Sequence, residues 1–176
     1  MPELLIRIKK KSDGSAALSA LRADGTTTWQ RQEGQLGRFF PLHDLTHYAV
    51  ETTLGFTAAF FGLIAQGWDI SDFGKRPSKE LLQAEAGLAE LIVGFFDLER
   101  ATGIVETADA LNEKIRSYYT DRRLPCPECS ITEAQVGSIR ERRAGLFASW
   151  RALPAGQALE LPFDRPTLPR TTSLPS

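Results

Sequence analysis

The order of strand-like and helix-like segments limits the fold of this chain more than any other feature. Residues 4–9, 17–22 and 26–30 alternate or are rich in β-branched and aromatic residues, and Asp24-Gly25 supplies a hairpin turn between the last two. Residues 157–161 alternate again after a long helical region. Because strands at both ends can pair while the helices between them cover one face, the sequence predicts an α+β fold. We expect an antiparallel sheet of about four strands, an N-terminal meander plus a C-terminal strand, covered by four to five helices.

Helical periodicity fills the region between these strands. Pro41 and Gly55 delimit the first helix, and the third helix is amphipathic, with Glu90 and Asp97 among its polar positions. The predicted helices cover residues 42–54, 56–66, 78–100, 105–120 and 132–153. We expect one α+β domain over residues 1–161 and a proline-rich tail, extended or disordered, over residues 162–176.

Charge and hydropathy argue against several classes of function. Lys and Arg total 21 and Asp and Glu total 22, and this near-neutral balance predicts no nucleic-acid partner, because such partners usually require a basic excess. The most apolar run, residues 54–65, is shorter than the about 20 residues that a membrane span needs. The sequence has only two cysteines and no apolar leader, so it predicts a soluble cytoplasmic protein without a membrane partner. The expected partner is a small-molecule substrate or another protein.

The two histidines of the chain lie four residues apart, at His43 and His47, within the first predicted helix. At about 100° per residue they share one arc with Asp44 and Glu51, and this arc borders an apolar stripe. The spacing predicts that His43 and His47 bind zinc or another divalent metal. We assign catalytic roles to Asp44 and Glu51: Asp44 as a base or a third ligand, and Glu51 as the group that holds His47 in one tautomer.

The segment His43-Asp44-Leu45-Thr46-His47 resembles the zincin helix motif His-Glu-x-x-His over five residues. It differs in having Asp44 in place of the glutamate, one methylene shorter, and the chain has no third histidine to complete the ligand set. The sequence therefore leaves two functions open. One is a small metal-dependent hydrolase, and the alternative is a non-catalytic binding or assembly module in which the histidines are structural.

A second cluster of candidate ligands is Cys126-Pro127-Glu128-Cys129, which has the spacing of a zinc knuckle. Three interpretations are open. The pair could complete a Cys2His2 site with His43 and His47, it could act as a redox pair, or it could be two loop thiols without a partner.

Overall fold

The sheet has four antiparallel strands, as the sequence predicts. The computed structural model describes residues 2–34, 36–74 and 84–166. The strands are β1 (Leu4–Lys10), β2 (Ala16–Arg22), β3 (Thr27–Gln32) and β4 (Ala158–Phe163), in the order β3-β2-β1-β4. The C-terminal strand lies beside the first one, with Leu4 paired with Phe163. The α+β prediction is confirmed, and β4 continues two residues beyond the predicted end at residue 161, because buried Phe163 belongs to the core.

Five α-helices lie between β3 and β4, together with a short 3₁₀ helix at Ile70–Gly74. The five α-helices are α1 (Phe40–Leu54), α2 (Phe60–Ala65), α3 (Ala84–Thr102), α4 (Ala108–Asp121) and α5 (Glu133–Ala152). The predicted start of the third helix at Ser78 lies outside the described residues. The capping box at Thr132 and Gln135 is present at the start of α5.

The ends of α1 and the start of α2 follow from local chemistry. Pro41 lies in the first turn of α1, where its missing N–H costs nothing, so the helix begins two residues earlier than predicted. Gly55 ends α1 in a left-handed conformation with φ 72°. Helix α2 begins later than predicted because Glu85 binds the backbone N–H groups of Thr57 and Ala58, which holds this stretch in a loop.

Helix α1 belongs to both halves of the hydrophobic core. Its Leu45 packs with the inner face of the sheet, whereas Ala49 and Val50 pack with the cluster formed by α3, α4 and α5. One side of α1 therefore faces α3, while β3 lies near its N-terminal end, where Gln32 contacts Asp44.

A buried ion pair fixes α3 against α5. Arg143 is 9% exposed, and its guanidinium donates to the carbonyl of Phe96 at 2.6 Å and to Glu99 at 2.8 Å. Arg140 binds the same carboxylate at 2.7 Å. These contacts fix the C-terminal half of α3, which also carries Asp97.

Among residues 2–34, 36–74 and 84–166, none of the helices combines the length and the apolar character needed to cross a lipid bilayer.

Candidate metal centre

The two imidazoles of α1 project to the same side of the helix, as their spacing predicts. The ring centroids of His43 and His47 lie 4.8 Å apart, with the ring planes at 78° to one another. His47 is buried, and the His43 side chain is 22% exposed. Side chains four residues apart on a helix are neighbours, so this approach follows directly from the helical conformation of α1.

A third donor comes from the neighbouring helix α3. A nitrogen of each imidazole and a carboxylate oxygen of Glu90 all lie within 4.8 Å of one another, and the His47 Nε2 to Glu90 Oε1 distance is 3.4 Å. Ligands about 2.1 Å from a tetrahedral ion lie roughly 3.4 Å apart. The separation between His47 and Glu90 therefore matches that of two ligands of one ion, and the Glu90 side chain is half-exposed. Within the described ranges, this is the one group of three or more His, Cys, Asp or Glu side chains with that geometry.

A carboxylate from α3 orients His43. The Nδ1–H of His43 donates to Oδ2 of Asp97 at 2.7 Å, and the other oxygen of Asp97 accepts from Arg100 at 3.4 Å. Because Asp97 occupies Nδ1, the nitrogen left for a metal is Nε2. Metal-binding histidines commonly donate their second N–H to a carboxylate in this way.

Glu51 orients His47 from within α1. Its Oε1 accepts from the Nδ1–H of His47 at 3.2 Å, and its Oε2 accepts from the backbone N–H groups of Phe61 and Gly62 at 2.9 and 3.3 Å. The Glu51 side chain is fully buried, behind the imidazole rather than in the cavity. The contact expected from the sequence is present, and it leaves Nε2 of His47 directed at Glu90.

The His47 and Glu51 pair holds a proton at neutral pH. Burial by itself lowers the pKa of His47, but the hydrogen bonds to Glu51 and Glu90 outweigh it and raise the pKa to about 10. Burial raises the pKa of Glu51 as well, although the contact with His47 opposes this rise. We place the proton on His47, because Glu51 accepts hydrogen bonds from two backbone N–H groups, which favour its charged form.

The imidazoles open onto a cavity of about 250 Å³. Its apolar walls are formed by Leu18, Phe40, Phe60, Ile70 and Phe73. Its polar lining consists of Gln30, Gln32, His43, Asp44, His47 and Glu90. A cavity that combines apolar walls with convergent polar groups is a common form of a small-molecule site.

Asp44 lines this cavity but is not one of the three clustered donors. Its Oδ2 accepts a hydrogen bond from Nε2 of Gln32 on β3, and the side chain is buried. Burial raises the pKa of Asp44 to about 6, even though Gln32 and the two histidines favour its charged form. A carboxyl group with a pKa close to neutrality can exchange protons with a bound molecule.

The two histidines, Asp44 and Glu51, which the sequence indicates, all lie on α1, whereas Glu90 and Asp97 lie on α3 and are not predicted as part of the site. Both missed residues lie on the polar side of α3, seven positions apart and therefore on one face. That spacing is the signal in the sequence that could have indicated them. A solvated helix face carries the same signal, so it identifies a site only once α3 is known to pack against α1.

The cysteines lie elsewhere in the fold. Cys129 lines a different pocket, together with Leu54, Phe56 and Glu85, and Cys126 is exposed. The Cys2His2 site, one of the three interpretations of the cysteine pair, is not formed among the described residues, where the clustered donors are His43, His47 and Glu90.

Comparisons with known proteins give no family for this chain. No protein-family model, no curated protein and no solved structure matches it. Its function is therefore inferred from the chemistry of the site.

Proposed function

We propose that this protein is a metal-dependent hydrolase of small substrates, with one divalent ion bound by His43, His47 and Glu90. The observation that carries the proposal is the pairing of both Nδ1 atoms with carboxylates, Asp97 and Glu51. It makes the Nε2 atoms the nitrogens that would bind an ion, with His47 releasing its second proton on binding. Two imidazoles and one carboxylate are a ligand set typical of catalytic zinc, with a further position open to substrate. Zinc is therefore the metal we propose.

Asp44 is the proposed general base. A bound zinc ion would polarise the substrate carbonyl and make water a better nucleophile at neutral pH. Asp44 faces the same cavity as the three ligands, and a pKa of about 6 lets it accept a proton from the attacking water and return it to the leaving group. The buried Gln32 amide holds the carboxylate in place.

Glu51 and Asp97 act through the histidines. Neither carboxylate lines the cavity, so we propose that both are positioning residues, which fix the tautomers of His47 and His43. Glu51 thus supports catalysis without contacting the substrate.

The alternative function is a non-catalytic binding or assembly module. One observation favours it: His47 is paired with the carboxylates of Glu51 and Glu90, at 3.2 and 3.4 Å. In that case the histidines would stabilise the contact between α1 and α3.

Metal analysis distinguishes the two functions. The protein would be purified without a His-tag and without chelators, and its zinc content measured by mass spectrometry. We expect about one ion per chain in the wild type and in Asp44→Asn, and little in the His43→Ala, His47→Ala double variant. Asp44→Asn is the matched control, because it should keep the ion while losing hydrolysis of a chromogenic test compound such as 4-nitrophenyl acetate. Substoichiometric metal that is unchanged in the double variant would favour the non-catalytic module.

A further inference from the structure

The outer face of the sheet lies on the side opposite the helices and is open to solvent. The buried residues of the strands pack with the helices, and the residues that alternate with them point the other way. The register places Trp29 and Arg7 in one row across the sheet, and Arg31 and Lys9 in the next row. All four side chains are exposed. We call this surface of β1, β2 and β3 the open face.

The aromatic residue of the open face is unusually accessible. Trp29 is 62% exposed, whereas tryptophan is highly buried on average. Its partner on β2 is Ser19, whose side chain is too small to cover an indole ring. The guanidinium carbon of Arg31 lies 5.9 Å from the centroid of the indole ring. An exposed indole beside an arginine offers a flat surface on which a nucleobase can stack.

The open face is positively charged, although the total charge of the chain is close to neutral. Glu160 on β4 and Glu33 after β3 are each paired with a basic residue at 2.7 Å. Lys9 and Arg31 form no ion pair with any residue in the described ranges. The prediction of no nucleic-acid partner depends on the total charge, whereas the binding of phosphate groups depends on the local charge.

The spacing of the basic groups suits an extended anionic chain. Neighbouring strands lie about 4.8 Å apart, so Arg7 and Lys9 on β1 lie roughly 10 Å from the outward residues of β3. Ala17 and Ser19 on β2 lie between them, and their small side chains form a shallow floor. A single strand of nucleic acid would lie on this floor with one base against the indole and its phosphates near the basic groups.

We propose that the open face binds single-stranded nucleic acid, with a base stacked on Trp29 and phosphates bound by Arg7, Lys9 and Arg31. In RNA-binding domains built on a four-stranded sheet, aromatic side chains stack on bases in the same way. An acidic protein segment would satisfy the basic residues, but a nucleic acid also accounts for the exposed indole. None of these residues lines the cavity of the metal centre, so this binding is independent of the hydrolase proposal.

Binding of a fluorescein-labelled oligothymidylate of twelve nucleotides would be measured by fluorescence anisotropy at several salt concentrations. We expect a dissociation constant in the micromolar range at about 50 mM salt. The slope of the logarithm of the binding constant against that of the salt concentration should be about −2, because each of three phosphate contacts contributes about −0.7. The unlabelled oligonucleotide should quench the emission of Trp29, and this quenching should be absent in Trp29→Phe.

Variants of the open face separate stacking from charge. Trp29→Ala should weaken binding about 5- to 100-fold, and Trp29→Phe, which keeps an aromatic ring, should weaken it less. Arg31→Gln should weaken binding and bring the salt slope to about −1.4. The matched control is Arg116→Gln, which removes an exposed arginine of α4 and should change neither quantity. Because all three side chains are exposed, the variants should fold, and circular dichroism would check this.

Four results would overturn the proposal. The first is a wild type that does not bind the oligonucleotide at low salt. The second is an affinity that is unchanged in Trp29→Ala, and the third is an equal effect of Arg31→Gln and Arg116→Gln. The fourth is tighter binding of poly-L-glutamate than of the oligonucleotide, which would assign the open face to an acidic protein segment instead.

Discussion

When His47 is neutral, as a metal ligand must be, the carboxylate of Glu51 determines which of its two nitrogens keeps the proton, and Glu51→Gln should reverse that choice. The carboxylate accepts from Nδ1 and from the N–H groups of Phe61 and Gly62. A glutamine has only one oxygen, which the two N–H groups would retain, so its NH2 group would face His47. The imidazole would then accept at Nδ1 and carry its proton on Nε2, the atom that the ion needs.

The expected loss follows from this tautomer change. Replacing a carboxylate that orients a metal-binding histidine lowers metal affinity about 10- to 100-fold, which corresponds to about 1.4–2.7 kcal/mol. The zinc affinity of the wild type and Glu51→Gln would be measured by competition with a chromophoric chelator. The matched control is Glu85→Gln. Glu85 also binds backbone N–H groups at the start of the α2 region, at Thr57 and Ala58.

Glu85→Gln should lower the free energy of unfolding without lowering zinc affinity, because none of the described contacts of Glu85 reaches a histidine. Equal losses of zinc affinity in the two variants would show that the effect is a general loosening of the fold. Wild-type affinity in Glu51→Gln would refute the tautomer mechanism outright.

Three further predictions concern other parts of the molecule. Asp97→Ala should lower zinc affinity about 10- to 100-fold, since it removes the acceptor on Nδ1 of His43, and an unchanged competition titration would contradict this. Lys10→Met should lower the free energy of unfolding by about 1–3 kcal/mol, because the ammonium group donates to three carbonyls at the end of α5. A urea unfolding curve with an unchanged midpoint concentration would contradict this. Burial raises the pKa of the Cys129 thiol, so iodoacetamide should alkylate the exposed Cys126 first. Peptide mapping that finds Cys129 alkylated before Cys126 would contradict this.

The features that were predicted correctly from the sequence depend on local patterns. The alternation of β1 and the composition of β3 identify strands directly, and the i, i+4 spacing brings His43, His47 and Glu51 to one side of α1. The contact between His47 and Glu51 was predictable because both residues belong to the same helix.

The remaining members of the site come from other elements. Glu90 and Asp97 reach the histidines only because α3 packs against α1, and Gln32 reaches Asp44 only because β3 ends beside the same helix. No local pattern specifies these packing partners. The sequence could therefore indicate the pair of imidazoles, but neither the third ligand nor the amide in the cavity wall.

The most direct test of the metal centre is a crystal of the zinc-loaded, untagged protein, with diffraction data collected on both sides of the zinc absorption edge. We predict one anomalous peak per chain, about 2.0–2.2 Å from Nε2 of His43, Nε2 of His47 and a carboxylate oxygen of Glu90. A peak at Cys126 and Cys129, or none near the two imidazoles, would contradict it.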